Sequence, residues 1–272
     1  MIEKAKRLAA SALMGREGIV KGSGKKQHEM TGIGERFHEE TKYSPGSLGG
    51  HALDWHNMPE TYKSYPSPIK TVSLPEFRFG SSVSVWEVFA RRRSTRSFAA
   101  ARTMSLGLLS SLFWATQGIT AEAEGWQFRT APSAGGLYPI ETYIVVRDVE
   151  GLDRGLYHFR PRRFDLELIK KGDLSAQLAE AALGQDMIRE AQTTFIWTAV
   201  VARSTWKYRQ RAYRYIYMDA GHIAQNLYLA GTAAGIGVCA VGAFFDDLVN
   251  DLVGVDGVEE TAVYLACAGT PD

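Results

Sequence analysis

The 272-residue sequence is poor in cysteine and has almost no excess of charge of either sign. Only Cys239 and Cys267 occur, both within apolar runs, which excludes a disulfide framework and indicates a reducing compartment. Lysine and arginine number 31 against 30 acidic residues, so the formal net charge of +1 offers no electrostatic basis for binding nucleic acid. The apolar fraction of 45% nevertheless predicts an ordinary globular protein with a substantial core.

Long hydrophobic runs are also missing. No apolar stretch approaches the roughly 18 to 20 residues that a membrane span requires. The beginning of the chain, "MIEKAKRLAASALMGREG", lacks the continuous apolar core of a secretory signal. We therefore expect a cytoplasmic protein without membrane contact.

Several catalytic and binding motifs are absent. "GIGVCAVG" has the wrong glycine spacing for a dinucleotide fingerprint, and "GSGKKQ" lacks the remaining residues of a phosphate-binding loop. The six histidines show no metal-ligand spacing, and there is no "G-x-S-x-G" turn of a nucleophilic hydrolase. The sequence therefore predicts no metal site, and any chemistry should come from a cofactor.

The chain divides into two parts by composition. Residues 1–80 include the basic stretch "VKGSGKKQ" and a segment with four of the nine prolines but no clear periodicity. We predict an N-terminal arm and wrapping segment over residues 1–80. The regular patterns that follow predict a single catalytic domain over residues 81–272.

Helix and strand patterns are mixed in this second part without strict alternation. Ser84 and Glu87 have capping-box spacing and predict a helix that runs into an arginine-rich segment. "SLGLLSSLFWATQG" and "RAYRYIYMDAGHIAQNLYLAGTAAG" have helical periodicity, and Gly221 and Gly231 inside the latter indicate close approach of a backbone or ligand. Strands are predicted by "IETYIVVRD", "GLYHFRPRRFDLELI", "TTFIWTAVVAR", "GVCAVGAF" and "TAVYLACAG".

The arginine segment, "RRRSTRSF" at residues 91–98, places four arginines beside hydroxyl groups. One interpretation is a solvated helix end, since cations favour helix C-termini. The other is an anion site, because arginine forks bind phosphate oxygens and hydroxyl groups complete such a cradle. Residues 215–272 contain eight acids and neither Lys nor Arg, so this segment would be the densest source of charge for a phosphate bound in the core.

Three further stretches have both an ordinary and a functional interpretation. "APSAGGLYPIE" could be a plain loop, or a loop whose backbone approaches a flat ligand closely. "AVGAFF" places a small residue, Gly242, at the end of a buried strand. "TWKYRQRAYRY" holds Lys207 next to Tyr208, a pair that is commonly surface decoration at a helix entrance but can also act in catalysis.

In this order, the stretches resemble the FMN-dependent nitroreductase superfamily. The family's "R-R-S-x-R-x-F" phosphate and ribityl motif corresponds to Arg92, Arg93, Ser94, Arg96 and Phe98. "PSAGGLYPIETY" and "YIYMDAGHIAQNLYLAGTAAGIG" are similar, more specifically, to the SagB-type branch of peptide azoline dehydrogenases, which oxidise thiazolines and oxazolines to thiazoles and oxazoles. The resemblance extends from about residue 35 to the end of the chain.

The resemblance implies an α+β fold with a central, mainly antiparallel sheet flanked by helices, in an intertwined homodimer with two FMN sites at its interface. The loop along the flavin would comprise Pro132, Ser133, Ala134, Gly135 and Gly136. The strand end near the reactive face would comprise Val241, Gly242 and Ala243. An adjacent Lys-Tyr pair is implicated in catalysis in this branch, and Lys207 and Tyr208 match it.

Three functions remain open from the sequence. The first is a SagB-type dehydrogenase that acts on azoline-like rings of peptides or small molecules by hydride transfer to flavin N5. The second is an NAD(P)H-dependent reductase of nitro or quinone compounds that uses FMN in the opposite direction. The third is a non-catalytic flavin-binding subunit of a peptide-modifying complex.

Overall fold

The computed structural model describes residues 32–45, 52–77 and 82–272. Residues 44–272 form one compact unit, and helix α1, Ile33–Glu40, belongs to a separate unit that ends at Tyr43. The predicted basic stretch of the arm lies outside the described residues, and the boundary near residue 80 stays a prediction. Among the described helices, none has the length and apolar character that a membrane span requires. The cytoplasmic location also stays a prediction.

A seven-stranded antiparallel sheet forms the centre of the main unit, in the order β1-β6-β5-β4-β7-β9-β8. Its strands β5, β4 and β7 lie in the middle and are almost entirely buried, because both faces of the sheet are covered. A separate two-stranded sheet pairs β2 with β3 around a two-residue turn with positive φ at Glu124 and Gly125. The strands are β1 Lys70–Ser73, β2 Ile119–Ala123, β3 Trp126–Arg129, β4 Ile140–Val146, β5 Gly155–Arg160, β6 Asp165–Lys171, β7 Thr193–Val200, β8 Gly237–Val241 and β9 Glu260–Gly269.

Among the described residues, the main unit has seven α-helices, of which the sequence patterns predict α2, α3 and α7, whereas α6 contradicts its prediction. Ser84 and Ser105 cap α2 and α3 by accepting hydrogen bonds from the backbone N–H three residues later, as capping predicts. Gly231, inside α7, packs against Val238, since an added Cβ would lie 2.7 Å from the Val238 side chain. The helices are α2 Val85–Arg91, α3 Leu106–Gln117, α4 Ser175–Ala181, α5 Met187–Glu190, α6 Val201–Tyr208, α7 Ala212–Ala233 and α8 Asp246–Val253.

The exception is α6. The apolar run "TTFIWTAVVAR" predicts a strand through Arg203, but β7 ends at Val200 and a helix begins at Val201. The prediction was wrong because the β-branched residues favour a strand, whereas the neighbouring strand β9 begins at Glu260, opposite Val200, and offers no partner beyond it. As a result, Lys207 and Tyr208 end a short helix rather than open the long one.

A buried ion network lies within the sheet, formed by Glu141, His158, Glu167, Arg160 and Arg203. Arg203 Nη1 donates to Glu141 Oε1 at 2.6 Å, and the two ring nitrogens of His158 lie 2.8 Å from Glu141 and 3.1 Å from Glu167. Arg160 Nη1 approaches Glu167 at 3.0 Å. Each buried charge therefore has an opposite charge beside it, as burial in a low-dielectric core demands.

The segment before β1 is held on the sheet by the same kind of contact. Lys63 Nζ donates to Glu260 at 2.6 Å, and the backbone N–H of Tyr65 donates to Glu167 at 3.2 Å. β1 itself pairs antiparallel with β6. Residues 60–73 are thus part of the main unit, through specific polar contacts and through the sheet ladder.

Candidate active site

The arginine segment, residues 91–98, lies along the edge of the main sheet. Ser94 forms a parallel bridge with Val238 of β8, and Thr95 N donates to Val238 O at 2.9 Å. This close approach requires a glycine in β8, since a Cβ on Gly237 would lie 2.6 Å from Thr95. Phe98 is buried and bridges to Pro271.

Tyr228 of helix α7 connects the arginine segment to β8. Its hydroxyl lies 3.0 Å from Ser94 Oγ and accepts a 2.8 Å hydrogen bond from Ala240 N. The Arg92 guanidinium lies 5.3 Å from the centroid of the Tyr228 ring, and this cation–π contact helps to position the Arg92 side chain. The sequence singled out Arg92 and Ser94, but no local signal pointed to Tyr228, because it is 134 residues from Ser94.

The four arginines of the segment differ in their partners. Arg91 pairs with Glu87 at 3.0 Å along the exposed face of α2, and Arg93 donates to the carbonyls of Ala90 and Arg92. Among the described residues, no carboxylate lies within ion-pair distance of Arg92, Arg93 or Arg96. Residues 92–96 therefore carry an excess of positive charge, and their three guanidinium groups and the Ser94 hydroxyl are the kinds of donor that a phosphate ester prefers.

The loop of residues 132–136 is held by a buried carboxylate on α7. Asp219 Oδ2 accepts from Ser133 Oγ at 2.6 Å and Oδ1 accepts from Ala134 N at 3.2 Å, while Ser133 Oγ accepts from Tyr138 N at 2.9 Å. Burial raises the pKa of Asp219, although the bonds from Ser133 and Ala134 act in the opposite direction. Asp219 was missed in the sequence, where a single acid inside an amphipathic helix gives no signal.

Gly135 brings this loop against the Lys-Tyr pair. Its φ is +66°, and a Cβ placed there would lie 2.5 Å from Tyr208 Oη and 3.0 Å from Lys207 Nζ. A larger residue would be strained in the left-handed region, and its Cβ would have to displace both functional groups. The loop and the pair, which are about 70 residues apart in the sequence, therefore meet in one place.

Tyr208 is itself positioned by α7. Its ring packs edge-to-face on Tyr215 at 4.8 Å between centroids, and the Lys207 ammonium lies 5.5 Å from the Tyr208 ring. Burial, together with the neighbouring Tyr215 and Asp219, raises the pKa of Tyr208. The Tyr208 phenol therefore keeps its proton at neutral pH.

The predicted strand end is placed beside the arginine segment. Val241 is the buried last residue of β8, and Gly242 and Ala243 are exposed beyond it. A Cβ on Gly242 would reach only the Tyr264 ring, at 3.8 Å, so this glycine leaves open space above the sheet edge.

The predicted site residues thus form two clusters, and each cluster is held by one residue of helix α7. Tyr228 organises the arginine segment, and Asp219 organises the loop and the Lys-Tyr pair. The nine-residue separation corresponds to about 14 Å along the axis and two and a half turns, so the two side chains project from opposite sides of α7. A ligand that touches both clusters within one chain would have to pass around the helix.

The chain is similar to several known proteins. The nitroreductase family profile matches residues 89–270. The nitroreductase candidate MJ1384 of Methanocaldococcus jannaschii is 36% identical over 182 residues, which are 67% of this chain and 88% of that protein. The trifolitoxin-processing protein TfxB of Rhizobium leguminosarum bv. trifolii is 28% identical over 77% of this chain and 57% of TfxB. The microcin B17-processing protein McbC of Escherichia coli is 25% identical over 67% of this chain and 69% of McbC.

Solved structures show the same fold. A nitroreductase candidate from Anabaena variabilis superposes with a TM-score of 0.71 and 30% identity, over 86% of this chain and 45% of that one. A chain of the E. coli microcin synthetase McbBCD complex with truncated pro-MccB17 bound superposes with a TM-score of 0.60 and 19% identity, over 88% of this chain and 92% of that one. The predicted α+β, nitroreductase-like fold with a mainly antiparallel sheet is confirmed.

Proposed function

This chain belongs to the nitroreductase family of oxidoreductases, and on that premise we propose that it is an FMN-dependent dehydrogenase of the SagB-type branch that oxidises azoline rings in a peptide. The relatives TfxB and McbC process trifolitoxin and microcin B17, which supports a peptide as the substrate. Since the chain spans only 57% of TfxB and 45% of the Anabaena protein, the activity of those whole proteins is itself part of the proposal.

The observation that carries the proposal is the meeting of Lys207 and Tyr208 with Gly135. The Lys207 ammonium and the Tyr208 phenol lie against Gly135, in a loop that has small residues in place of bulky side chains. The sequence resembles azoline dehydrogenases at these same positions. A structural role alone would not require the Lys207 ammonium to lie against a glycine backbone, where it is half-buried. The contact instead places both functional groups directly beside the loop that the resemblance assigns to the flavin.

The residues present fit a phosphate-bearing flavin. Arg92, Arg93 and Arg96 have no carboxylate partner among the described residues, and the backbone of Ser94 bridges to Val238 at the sheet edge. They would hold the phosphate and the ribityl chain. The Pro132–Gly136 loop and Val241, Gly242 and Ala243 would border the ring system.

The proposed roles of Lys207 and Tyr208 follow from the chemistry of azoline oxidation. When bound, FMN accepts a hydride at N5, so the protein needs to remove only one proton for an azoline to become an azole. The raised pKa of Tyr208 opposes the assignment of Tyr208 as the base. We therefore propose that Lys207 and Tyr208 act as a pair, in which one of them removes the proton and the other orients it.

The direct test measures oxidation of a synthetic thiazoline-containing peptide by the FMN-loaded protein. We expect Lys207→Ala to lower kcat by about 100-fold or more, as loss of a general base or of its orienting partner does, with flavin content unchanged. Tyr208→Phe keeps the ring packing on Tyr215 and should lower kcat by a smaller factor. Full oxidation by the variant that lacks both groups would remove them from the mechanism.

The glycine loop provides a matched pair of variants. Gly135 and Gly136 both have φ of +66°, but a Cβ on Gly136 meets nothing within 4 Å. Both alanine variants should lose about 1 to 2 kcal/mol of folding free energy from backbone strain. Only Gly135→Ala should also lose most peptide oxidation, because its Cβ displaces Tyr208 and Lys207. Equal activity of the two variants would contradict the contact.

A homodimer completes the proposed site. The arginine segment and the Lys-Tyr pair lie on opposite sides of α7, so one flavin would take phosphate contacts from one subunit and the loop from the other. Tyr217 and Met218 are more than half exposed on α7, and Gly221 faces open space, which suits a close helix contact. Co-expression of Arg92→Ala with Lys207→Ala chains should restore activity that neither has alone. Failure of this complementation in a mixed dimer would place each site within one chain.

A second candidate function is an NAD(P)H-dependent nitro or quinone reductase, which the 36% identity to the M. jannaschii nitroreductase candidate favours. Anaerobic mixing of the FMN-loaded protein with NADH or NADPH separates the two functions. Rapid bleaching of the flavin colour would support the reductase. Bleaching by a thiazoline peptide but not by either nucleotide would support the dehydrogenase.

A further inference from the structure

An aromatic groove opens beside the Lys-Tyr pair. It has a volume of about 270 Å³, and the residues that line it are Trp55, Trp126, Gln127, Phe128, Gly135, Gly136, Leu137, Trp206 and Lys207. Lys207 and Gly135 belong to both the groove and the candidate active site. The groove is therefore continuous with the place where the proposed chemistry occurs.

Two walls of the groove carry aromatic rings. On one side, Trp55 and Trp206 pack edge-to-face at 5.1 Å between centroids, and Trp206 Nε1 donates to Asp54 O at 2.8 Å. On the other side, the β2–β3 hairpin presents Trp126 and Phe128, which remain 36% and 43% exposed. Aromatic rings left open to solvent on facing walls favour a ligand with flat or apolar groups.

The charges of the groove argue against a nucleotide. No carboxylate and only one cation, Lys207, are among the residues that line it. The adjoining hollow, which shares Trp126 and Gln127, adds Glu122 and Arg162, one charge of each sign. A dinucleotide carries a pyrophosphate that needs a cluster of cations, whereas Lys207 is the one cation among the residues that line the groove.

The hairpin also suits a peptide backbone. β2 and β3 form a sheet of only two strands, so each has an edge without a strand partner among the described residues. β3 supplies three consecutive residues to the groove. An extended peptide can pair with such an edge while its side chains enter neighbouring pockets.

We propose that this groove binds the substrate peptide next to the ring to be oxidised, with an apolar or aromatic side chain between the Trp126–Phe128 wall and the Trp55–Trp206 wall. This inference rests on the proposed function, because it gives a binding place to the residue that precedes or follows the azoline in the substrate peptide. Lys207, at the end of the groove, then reaches the ring itself. Specificity for the neighbouring residue follows from the aromatic walls.

The test is calorimetric binding of a synthetic thiazole-containing pentapeptide with phenylalanine beside the ring, using the FMN-loaded protein. The thiazole is the oxidised product, so binding is measured without turnover. Phe128→Leu and Trp126→Ala should each weaken binding by about 3- to 10-fold, the scale of one lost aromatic contact. Trp86→Ala, a matched tryptophan that is 77% exposed on α2, should leave binding unchanged.

The outcomes separate this inference from the proposed function. If Phe128→Leu and Trp126→Ala bind the peptide with unchanged affinity and normal flavin content, the peptide does not bind in the groove, and this inference is overturned. Peptide oxidation by the wild type would in that case still support the proposed function. Loss of NADH binding instead of peptide binding in these variants would assign the groove to a nucleotide. A wild-type protein that neither binds the thiazole peptide nor oxidises its thiazoline form would overturn both.

Discussion

Arginine is concentrated in two regions of this molecule, and the regions differ in how the charge is balanced. In the buried ion network, Arg160 and Arg203 each have a carboxylate within 3.0 Å. In the arginine segment, Arg92 and Arg96 lie near the surface without a carboxylate partner among the described residues. Buried charge that is already paired holds the fold together, whereas unpaired charge at a sheet edge is available to a ligand.

The pKa directions express the same difference. Burial alone would raise the pKa of Glu141, but the charge of Arg203 and the hydrogen bond with His158 outweigh it and lower the pKa to about 2. Burial alone would lower the pKa of His158, but Glu141 and Glu167 outweigh it and raise the pKa. The network is therefore fully ionised in the folded protein at mildly acidic pH.

The largest expected effect comes from breaking the network. Arg203→Met leaves Glu141 buried without its guanidinium partner, which should cost about 3 to 5 kcal/mol of unfolding free energy. The measurement is urea unfolding of the flavin-free protein. Arg91→Met is the control, because the exposed Arg91–Glu87 pair should contribute only about 0 to 1 kcal/mol. Similar small losses in both variants would erase the distinction between the two regions.

The arginine segment should show the opposite behaviour. Arg92→Ala and Arg96→Ala should weaken FMN binding by about 10- to 100-fold, equivalent to about 1.5 to 3 kcal/mol for a hydrogen bond to a charged group. Their flavin-free unfolding free energies should change by only about 0.5 kcal/mol. Flavin titration measures the affinity, with Arg91→Ala as the control that keeps it. Equal flavin occupancy in all three variants would restore the interpretation of a solvated helix end.

The smallest effect is a change in pH dependence. The raised pKa of His158 contributes stability below its ordinary value of 6.5, and this is lost as the pH rises through the folded-state value. The lowered pKa of Glu141 contributes stability above its ordinary value of 4.5, and this is lost as the pH falls toward about 2. Unfolding free energy should therefore be highest between these ordinary values.

His158→Gln tests the alkaline side of this profile. The variant should be less stable at mildly acidic pH and should lose the decline that follows as the pH rises above 6.5. Arg96→Ala should keep the wild-type profile, because Arg96 is not part of the network. An alkaline decline that persists undiminished in His158→Gln would assign it to another group.

Much of the fold could be predicted from local patterns. Ser84 and Ser105 act as helix caps, the apolar periodicity predicted α3 and α7, and the turn "PRR" lies between β5 and β6. The prediction failed at Val201, because strand propensity does not report where the neighbouring strand begins. The β2–β3 hairpin was not predicted either, since its short strands have weak alternation and a Glu-Gly turn.

The candidate site could be predicted only in its parts. The arginine segment, the glycine loop and the Lys-Tyr pair were each visible as unusual stretches, and the resemblance to a family gave them roles. Asp219 and Tyr228, which hold these parts in place, were not visible, because a single acid or tyrosine in a long helix has no distinctive spacing.

The sequence by itself determined helices such as α2, α3 and α7 and the residue types available for chemistry, because capping, periodicity and turn preference act over a few neighbouring residues. Only the tertiary structure decided which arginines find a carboxylate and which do not. Arg203 meets Glu141 across 62 residues, and the Ser133 contact with Asp219 spans 86. Sheet register and helix packing set such distances, and they place Gly135 against Lys207 and Tyr208, the contact on which the proposed activity depends.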